Sequence, residues 1–349
     1  MSSLSMNAVK LLLRLQDKTL ADAEKFRQQV MGRSYPAPAP LPKALRARCA
    51  VREERVQGQP VYTLVPKAGR PAAHIIYTHG GAYVNPLLGA HWSIIGRLIA
   101  LTGAAVTVPI YPLAPEHTHR EAYAELERVY RDVRATTPAG SVVLAGDSAG
   151  GGLALGQALR YRDISLPAPD LVLLFSPWLD ITLSNPDAAP VERRDVMLGI
   201  PGLVEAGRWW AGGDDPAAPL LSPLFGDLAG LPPLFVFQGT DDIFIADARK
   251  LKERVTAAGG AIRLFEYPGA FHVFVGATFT PEARDAFRKV ARAITALGAT
   301  HGKDNDHASA RKPDDSPQAL GPGPGSGQPI GLGGLQGGQH QGARHPDGG

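Results

Sequence analysis

The chain has a single cysteine, Cys49, so it can form no internal disulfide and offers no thiolate set for a metal cluster. It also lacks an excess of one charge: 36 Lys and Arg stand against 33 Asp and Glu, a net of +3. That balance excludes a dedicated nucleic-acid binder, which needs a concentrated basic face. No apolar run reaches the roughly 18 residues that cross a membrane. A short apolar patch at 11–13 is followed at once by Arg14, Gln16, Asp17 and Lys18, with no small-residue cleavage site, which argues against a secretory signal. Aromatic residues are few, 7% of the chain, and residues 300–349 have none while holding 13 of the 40 glycines and six prolines. Such a segment cannot bury enough apolar surface to offset the entropy of ordering it, so a disordered tail is expected over 300–349. Its four histidines are irregularly spaced and argue little for metal. The rest, about 300 residues, is long enough for one large domain or two ordinary ones, and reads as a soluble, cytoplasmic protein.

What is present alternates. Apolar runs at 61–65, 75–78, 105–108, 142–145, 171–175, 234–238 and 262–267 are mostly continuous and bounded by Gly, Pro or Asp. Strands buried on both faces read this way. Between them lie helical patterns at 91–101, 120–135, 152–161, 246–258 and 281–297. This repetition predicts an α/β fold with a mostly parallel sheet covered on both sides. The alternating stretch that starts at Cys49 predicts an antiparallel edge strand. Two stretches stand outside the pattern. Residues 1–35 read as one long amphipathic helix carrying Leu12, Leu15, Leu20, Ala23, Phe26 and Val30. A stiff extended connection with Pro36, Pro38, Pro40 and Pro42 follows it. Residues 180–220 are rich in Pro, Gly and Asp yet contain Trp209 and Trp210. Both stretches are expected to lie over one end of the sheet, giving an N-terminal segment 1–45, a main domain 46–299 with an insertion at about 180–220, and the tail. No internal repeat is present.

The chemistry is written in three places. Gly146-Asp147-Ser148-Ala149-Gly150 joins an apolar strand to a helical pattern, the context in which G-x-S-x-G holds a nucleophilic serine on a strained turn. The helix start directs N–H groups and a positive dipole end at charge forming near Ser148. His79-Gly80-Gly81-Ala82 follows an early strand, where glycines let backbone N–H groups approach a substrate and hold an oxyanion. His79 itself is expected to organise that loop. The third place is a base with its orienting acid. His272 lies in a loop at a strand's C-terminal end, where parallel sheets place their sites. His74 reads as structural and His91 as a helix start. His117 and His119 form an H-x-H pair without an evident third ligand. The acid must fall between Ser148 and His272 in the order of this motif. Asp241 and Asp242 end the preceding strand, and one of them can instead cap the next helix.

Together these residues resemble the hormone-sensitive-lipase branch of the α/β-hydrolases over roughly residues 70–295. Further pieces look similar: Tyr111-Pro-Leu-Ala-Pro-Glu-His117, Ser176-Pro-Trp-Leu-Asp180, Ser222-Pro-Leu224 and Leu231-Pro-Pro233. The resemblance implies the α/β-hydrolase fold with a small helical cap, and a carboxylic-ester hydrolase that needs no cofactor and no metal. Its partner would be a small to medium ester, with no nucleic acid and no stable membrane insertion. By motif position it implies Ser148 as nucleophile, Asp241 as acid, His272 as base, and the N–H groups of Gly81, Ala82 and Ala149 as oxyanion donors. Asp242 would then tolerate substitution. Two departures stand out: Ala82 replaces a frequent third glycine, and Pro112 replaces a frequent arginine, which can change local ion pairing. Lactone hydrolysis would use the same residues. A ligand-binding member without catalysis would typically lack the histidine.

Overall fold

The continuous apolar runs become strands. In the computed structural model, which describes residues 2–137 and 141–309, β1 (Cys49–Val56), β2 (Gln59–Pro66), β3 (Ala73–Thr78), β4 (Ala105–Pro109), β5 (Ser141–Asp147), β6 (Leu171–Phe175), β7 (Leu234–Gly239) and β8 (Ile262–Tyr267) form one sheet. The strand order is β1-β2-β4-β3-β5-β6-β7-β8. The edge strand β1 pairs antiparallel with β2, and β2 antiparallel with β4; every later pairing is parallel.

The helices are α1 (Leu4–Arg14), α2 (Ala23–Met31), α3 (Lys43–Arg48), α4 (Gly89–Thr102), α5 (His119–Thr136), α6 (Ala149–Asp163), α7 (Ala189–Glu192), α8 (Ile200–Ala211), α9 (Ile245–Ala257) and α10 (Pro281–Ser309). Side chains alternate across each strand, which explains the unbroken apolar runs. Val143 and Ala145 of β5 join the cluster built with α4 and α10, including Ile94, Ile95, Leu98, Phe287 and Val290. Val142 and Leu144 join the opposite cluster, built with α5, α6 and α9, including Val129, Leu155, Ala158, Leu251 and Val255. Each fully buried aliphatic or phenyl side chain contributes about 1.5–3 kcal/mol relative to exposure, so both faces need their helices.

The N-terminal stretch is two helices, not one. A 3₁₀ turn at Thr19–Ala21 interrupts it, and the Asp22 carboxylate accepts the N–H groups of Glu24 and Lys25 at 2.9 and 3.1 Å. A capped restart costs less than carrying the helix through a sequence that favours a cap. Helix α1 buries Met6 and Lys10 and exposes Leu4, Leu11 and Leu12, with Leu15 exposed at its C-cap. The connection after α2 is pinned by Trp92 Nε1, which donates to the Ala39 carbonyl at 2.9 Å.

Residues 180–220 pack on the N-terminal stretch. The Phe26 ring stacks on Trp209 with centroids 5.7 Å apart. A Cβ at Gly202 would lie 2.7 Å from Leu20 Cα, so glycine lets α8 approach this backbone. Trp210 points the other way, fully buried, and stacks on Tyr83 at 4.3 Å. Helix α10 runs to Ser309, past the boundary expected at 299. The rest of the expected tail, 310–349, lies outside the described residues. Among the described residues no helix is long and apolar enough to cross a membrane.

Candidate functional site

Strands β3, β5, β7 and β8 end at the same edge of the sheet and deliver four loops there. At the end of β5 the chain reverses at Ser148, with φ 52° and ψ −124°. That is a costly conformation for a residue with a side chain, of order 1–3 kcal/mol, and it persists where the surroundings over-determine it. Here they do. The Ser148 N–H donates to the Phe175 carbonyl at 2.9 Å, and its carbonyl accepts from Gly151, Gly152 and Trp178. The two motif glycines are required by clearance. A Cβ at Gly146 would lie 2.2 Å from the Gly150 carbonyl oxygen, and one at Gly150 would lie 2.1 Å from the Thr78 carbonyl oxygen.

His272 reaches Ser148 from the loop after β8. The Ser148 hydroxyl donates to His272 Nε2 at 2.9 Å, and His272 Nδ1–H donates to Asp242 Oδ2 at 2.9 Å. All three side chains are buried. Burial pulls the His272 pKa down, but the Asp242 charge and hydrogen bond, with Asp195 and Asp147 behind them, raise it above its ordinary 6.5. The Asp242 partner fixes the proton on Nδ1 and leaves Nε2 free to accept a proton from Ser148.

The acid on the histidine is therefore Asp242, not Asp241. The Asp241 side chain turns away and pairs with Lys10 of α1 at 2.5 Å and Arg194 at 3.4 Å. Its backbone explains why. The Thr240 N–H donates to the Tyr267 carbonyl at 3.1 Å and the Asp241 N–H to the Ala270 carbonyl at 3.0 Å, so both residues still run alongside the histidine loop. The chain bends inward one residue later. Gly239 permits the approach, since a Cβ there would sit 2.3 Å from the Ala270 carbonyl oxygen. Asp242 also accepts the Phe244 N–H on Oδ1 at 3.0 Å, so the acid and the turn cap fall on one residue rather than on two.

The oxyanion candidates lie on two elements. Gly81, Ala82 and Tyr83 all have positive φ, at 126°, 54° and 62°. Among the described residues, the N–H groups of Gly81, Ala82 and Ala149 donate to no protein acceptor. The loop lies against Ser148: a Cβ at Gly80 would be 2.9 Å from Ser148 Cβ. Sequence reasoning missed what holds this loop. Asp147 accepts from Tyr77 Oη at 2.5 Å and from the Gly80 N–H at 3.1 Å. His91 faces its second oxygen at 3.3 Å. The Leu88 N–H donates to His91 Nδ1 at 2.7 Å, so the His91 proton sits on Nε2 and points at Asp147. An aspartate inside a five-residue motif was the available signal; the histidine, far along the chain, had none.

His79 stacks on Tyr111 at 4.4 Å, and its Nδ1–H donates to the Gly80 carbonyl at 2.7 Å. Burial pushes its pKa down to about 3, so it is a neutral strut of the loop. His74 bonds Thr107 at 2.8 Å within the sheet. His117 and His119 go to separate carboxylates, Glu121 and Asp214, and among the described residues no group of three metal-ligating side chains gathers. Near Tyr111, the buried Glu125 carboxyl has no hydrogen-bond partner, and burial raises it to about 8.

A buried serine hydroxyl hydrogen-bonded to a carboxylate-held histidine, beside unpaired N–H groups, is equipped for nucleophilic attack on a carbonyl. Residues 75–276 match the sequence pattern of a family described as having the alpha/beta hydrolase fold. The chain belongs to the α/β-hydrolase family. An acetyl-hydrolase of Streptomyces hygroscopicus is 34% identical over 201 residues, 57% of this chain and 67% of that protein. An esterase of Acinetobacter venetianus is 32% identical over 236 residues, 66% of this chain and 78% of that protein. A crystal structure of a hormone-sensitive lipase from a metagenome library superposes with a TM-score of 0.71 at 27% identity, covering 84% of this chain and 97% of that one. The hydrolase is thus carboxylesterase- and lipase-like, and it resembles the hormone-sensitive-lipase branch over 84% of the chain.

Proposed function

We propose that this hydrolase cleaves carboxylic esters with small to medium acyl groups through an acyl-enzyme on Ser148. The observation that carries the reading is the continuous hydrogen-bonded row from Ser148 through His272 to Asp242. The relatives named acetyl-hydrolase and esterase support the substrate class.

His272 Nε2 takes the Ser148 proton as the hydroxyl oxygen bonds to the ester carbonyl carbon. The carbonyl electrons move to oxygen, and the N–H groups of Gly81, Ala82 and Ala149 stabilise that charge. Asp242 keeps the imidazole in the useful tautomer and stabilises its cation. As the carbonyl reforms, the C–O bond to the alcohol breaks, and His272 returns its proton to the leaving oxygen. Water repeats the sequence on the acyl-enzyme and frees the acid and Ser148.

The test is turnover of p-nitrophenyl acetate, butyrate and longer esters, beside labelling with a fluorophosphonate. Turnover that favours the shorter esters, lost in Ser148→Ala together with the label, is the expected result. A folded Ser148→Ala protein with near wild-type turnover would overturn the reading.

A further inference from the structure

Asp195 lies in the segment between α7 and α8, within none of the motifs, yet its side chain reaches the loop that carries Asp242. It is 4% exposed. Its Oδ1 accepts the N–H groups of Met197 and Leu198, each at 2.8 Å, which caps the turn leading into α8. Its Oδ2 accepts the Ile243 N–H at 3.0 Å. The next N–H, that of Phe244, goes to Asp242 itself. Two adjacent amides of the acid loop are thus divided between a carboxylate inside the loop and one brought from outside. The Ile243 amide belongs to the peptide that leaves Asp242, so turning this peptide would swing the Asp242 carboxylate off His272. The Asp195 carbonyl also accepts from Lys18 Nζ at 3.0 Å, which ties the N-terminal segment to the same point.

We propose that Asp195 is a positioning residue of this site: it locks the loop that presents Asp242 and adds a second negative charge behind His272. The proposal rests on the Ser148–His272–Asp242 reading above. The charge is the informative part. A cap for Met197 and Leu198 needs only an uncharged oxygen, and a buried carboxylate beside Asp242 is costly. Burial and the Asp242 charge raise Asp195 to about 6, while His272 pulls it down. The groups facing Asp195 are Asp242 and His272, with the Lys18 ammonium at its carbonyl; those facing His272 are Asp242, Asp195 and Asp147. Lys10 and Arg194 spend their charge on Asp241. The partner that gains from a second carboxylate here is the imidazolium of His272, the ion formed as Ser148 attacks.

The sign follows. Asp195 raises His272, so removing its charge lowers the histidine pKa, and the base stays neutral to lower pH. The test is the pH profile of kcat/KM for p-nitrophenyl butyrate with full-length Asp195→Asn and Asp195→Ser, both of which keep an oxygen for the cap. Both variants are expected to fold, to lose about tenfold or more in kcat, and to move the acid limb down by about half a pH unit or more. A kcat loss with an unmoved limb would mean a structural cap alone and would overturn the proposal. So would wild-type kinetics, and so would failure of both variants to fold, which would make Asp195 a folding residue. Only turnover abolished by Ser148→Ala is counted, so a failure of the esterase reading shows in that control and not in the Asp195 variants.

Discussion

Ser148 and Asp242 flank the same imidazole, but different kinds of structure hold them. On the Ser148 side the contacts are backbone against backbone: the ends of β3, β5 and β6 and the first turn of α6 close around this residue, with Gly146 and Gly150 at the points of approach. On the acid side the backbone also closes up, Asp241 on Ala270 with Gly239 at the approach, but what sorts the two aspartates is side chains carried from remote segments: Lys10 on Asp241, and Asp195 on the Ile243 amide. Backbone clearance can be met only by glycine at a fixed spacing, so it leaves a local signature. A carboxylate steered by distant side chains leaves none.

The largest expected effect falls on the residue shared by both sides. His272→Ala should cost at least about 10³-fold in kcat for p-nitrophenyl butyrate, because members of such a row act as a unit. A variant within tenfold of wild type would dissolve the comparison by making the row incidental.

Next comes the clearance on the Ser148 side. Gly150→Ala places a methyl against the Thr78 carbonyl, with backbone on both sides and no flexible side chain to yield. We expect a loss of about 3 kcal/mol or more in urea unfolding, or failure to fold. Stability equal to wild type would show that the elbow has slack.

The pH profile probes the middle of the row. His272 is raised above 6.5, chiefly by Asp242 against the opposing effect of burial. A base whose pKa is raised loses its neutral form at a higher pH on acidification. The acid limb of kcat/KM in the wild-type enzyme should therefore have its midpoint above 6.5, and a midpoint below that value would mean the carboxylates do not govern the histidine.

The smallest effect is on the outer tie of the acid side. Lys10→Met removes the ion pair to Asp241 but leaves Arg194. Stability should fall by about 1 kcal/mol and kcat by less than about tenfold. A collapse of kcat with stability retained would show that Asp241, through Lys10, matters more to the acid than Asp195 does.

The same contrast explains what could be read from the residues. The strands at 171–175 and 262–267, the antiparallel edge from Cys49 and the helix start after Ser148 all follow from local periodicity and glycine placement. The break at Thr19–Ala21 was missed because the apolar spacing continues through it, while the Asp22 cap that restarts the helix is one polar residue among several. Trp210 is buried in the core against Tyr83, and only the fold brings those rings together. Asp241 and Asp242 present the same local chemistry. What separates them is the backbone pairing of Asp241 with Ala270 and the partners waiting on either side.

The most direct test of the account compares Asp242→Asn with Asp241→Asn, measuring kcat for p-nitrophenyl butyrate at one pH. An amide at 242 cannot enforce the Nδ1–H tautomer of His272, so Asp242→Asn should lose about 10²–10⁴-fold, by analogy with the same change in a serine-protease triad. Asp241→Asn keeps a polar partner for Lys10 and should lose less than about tenfold. The reverse ranking would contradict the assignment of Asp242, and two active variants would mean that neither carboxylate serves His272.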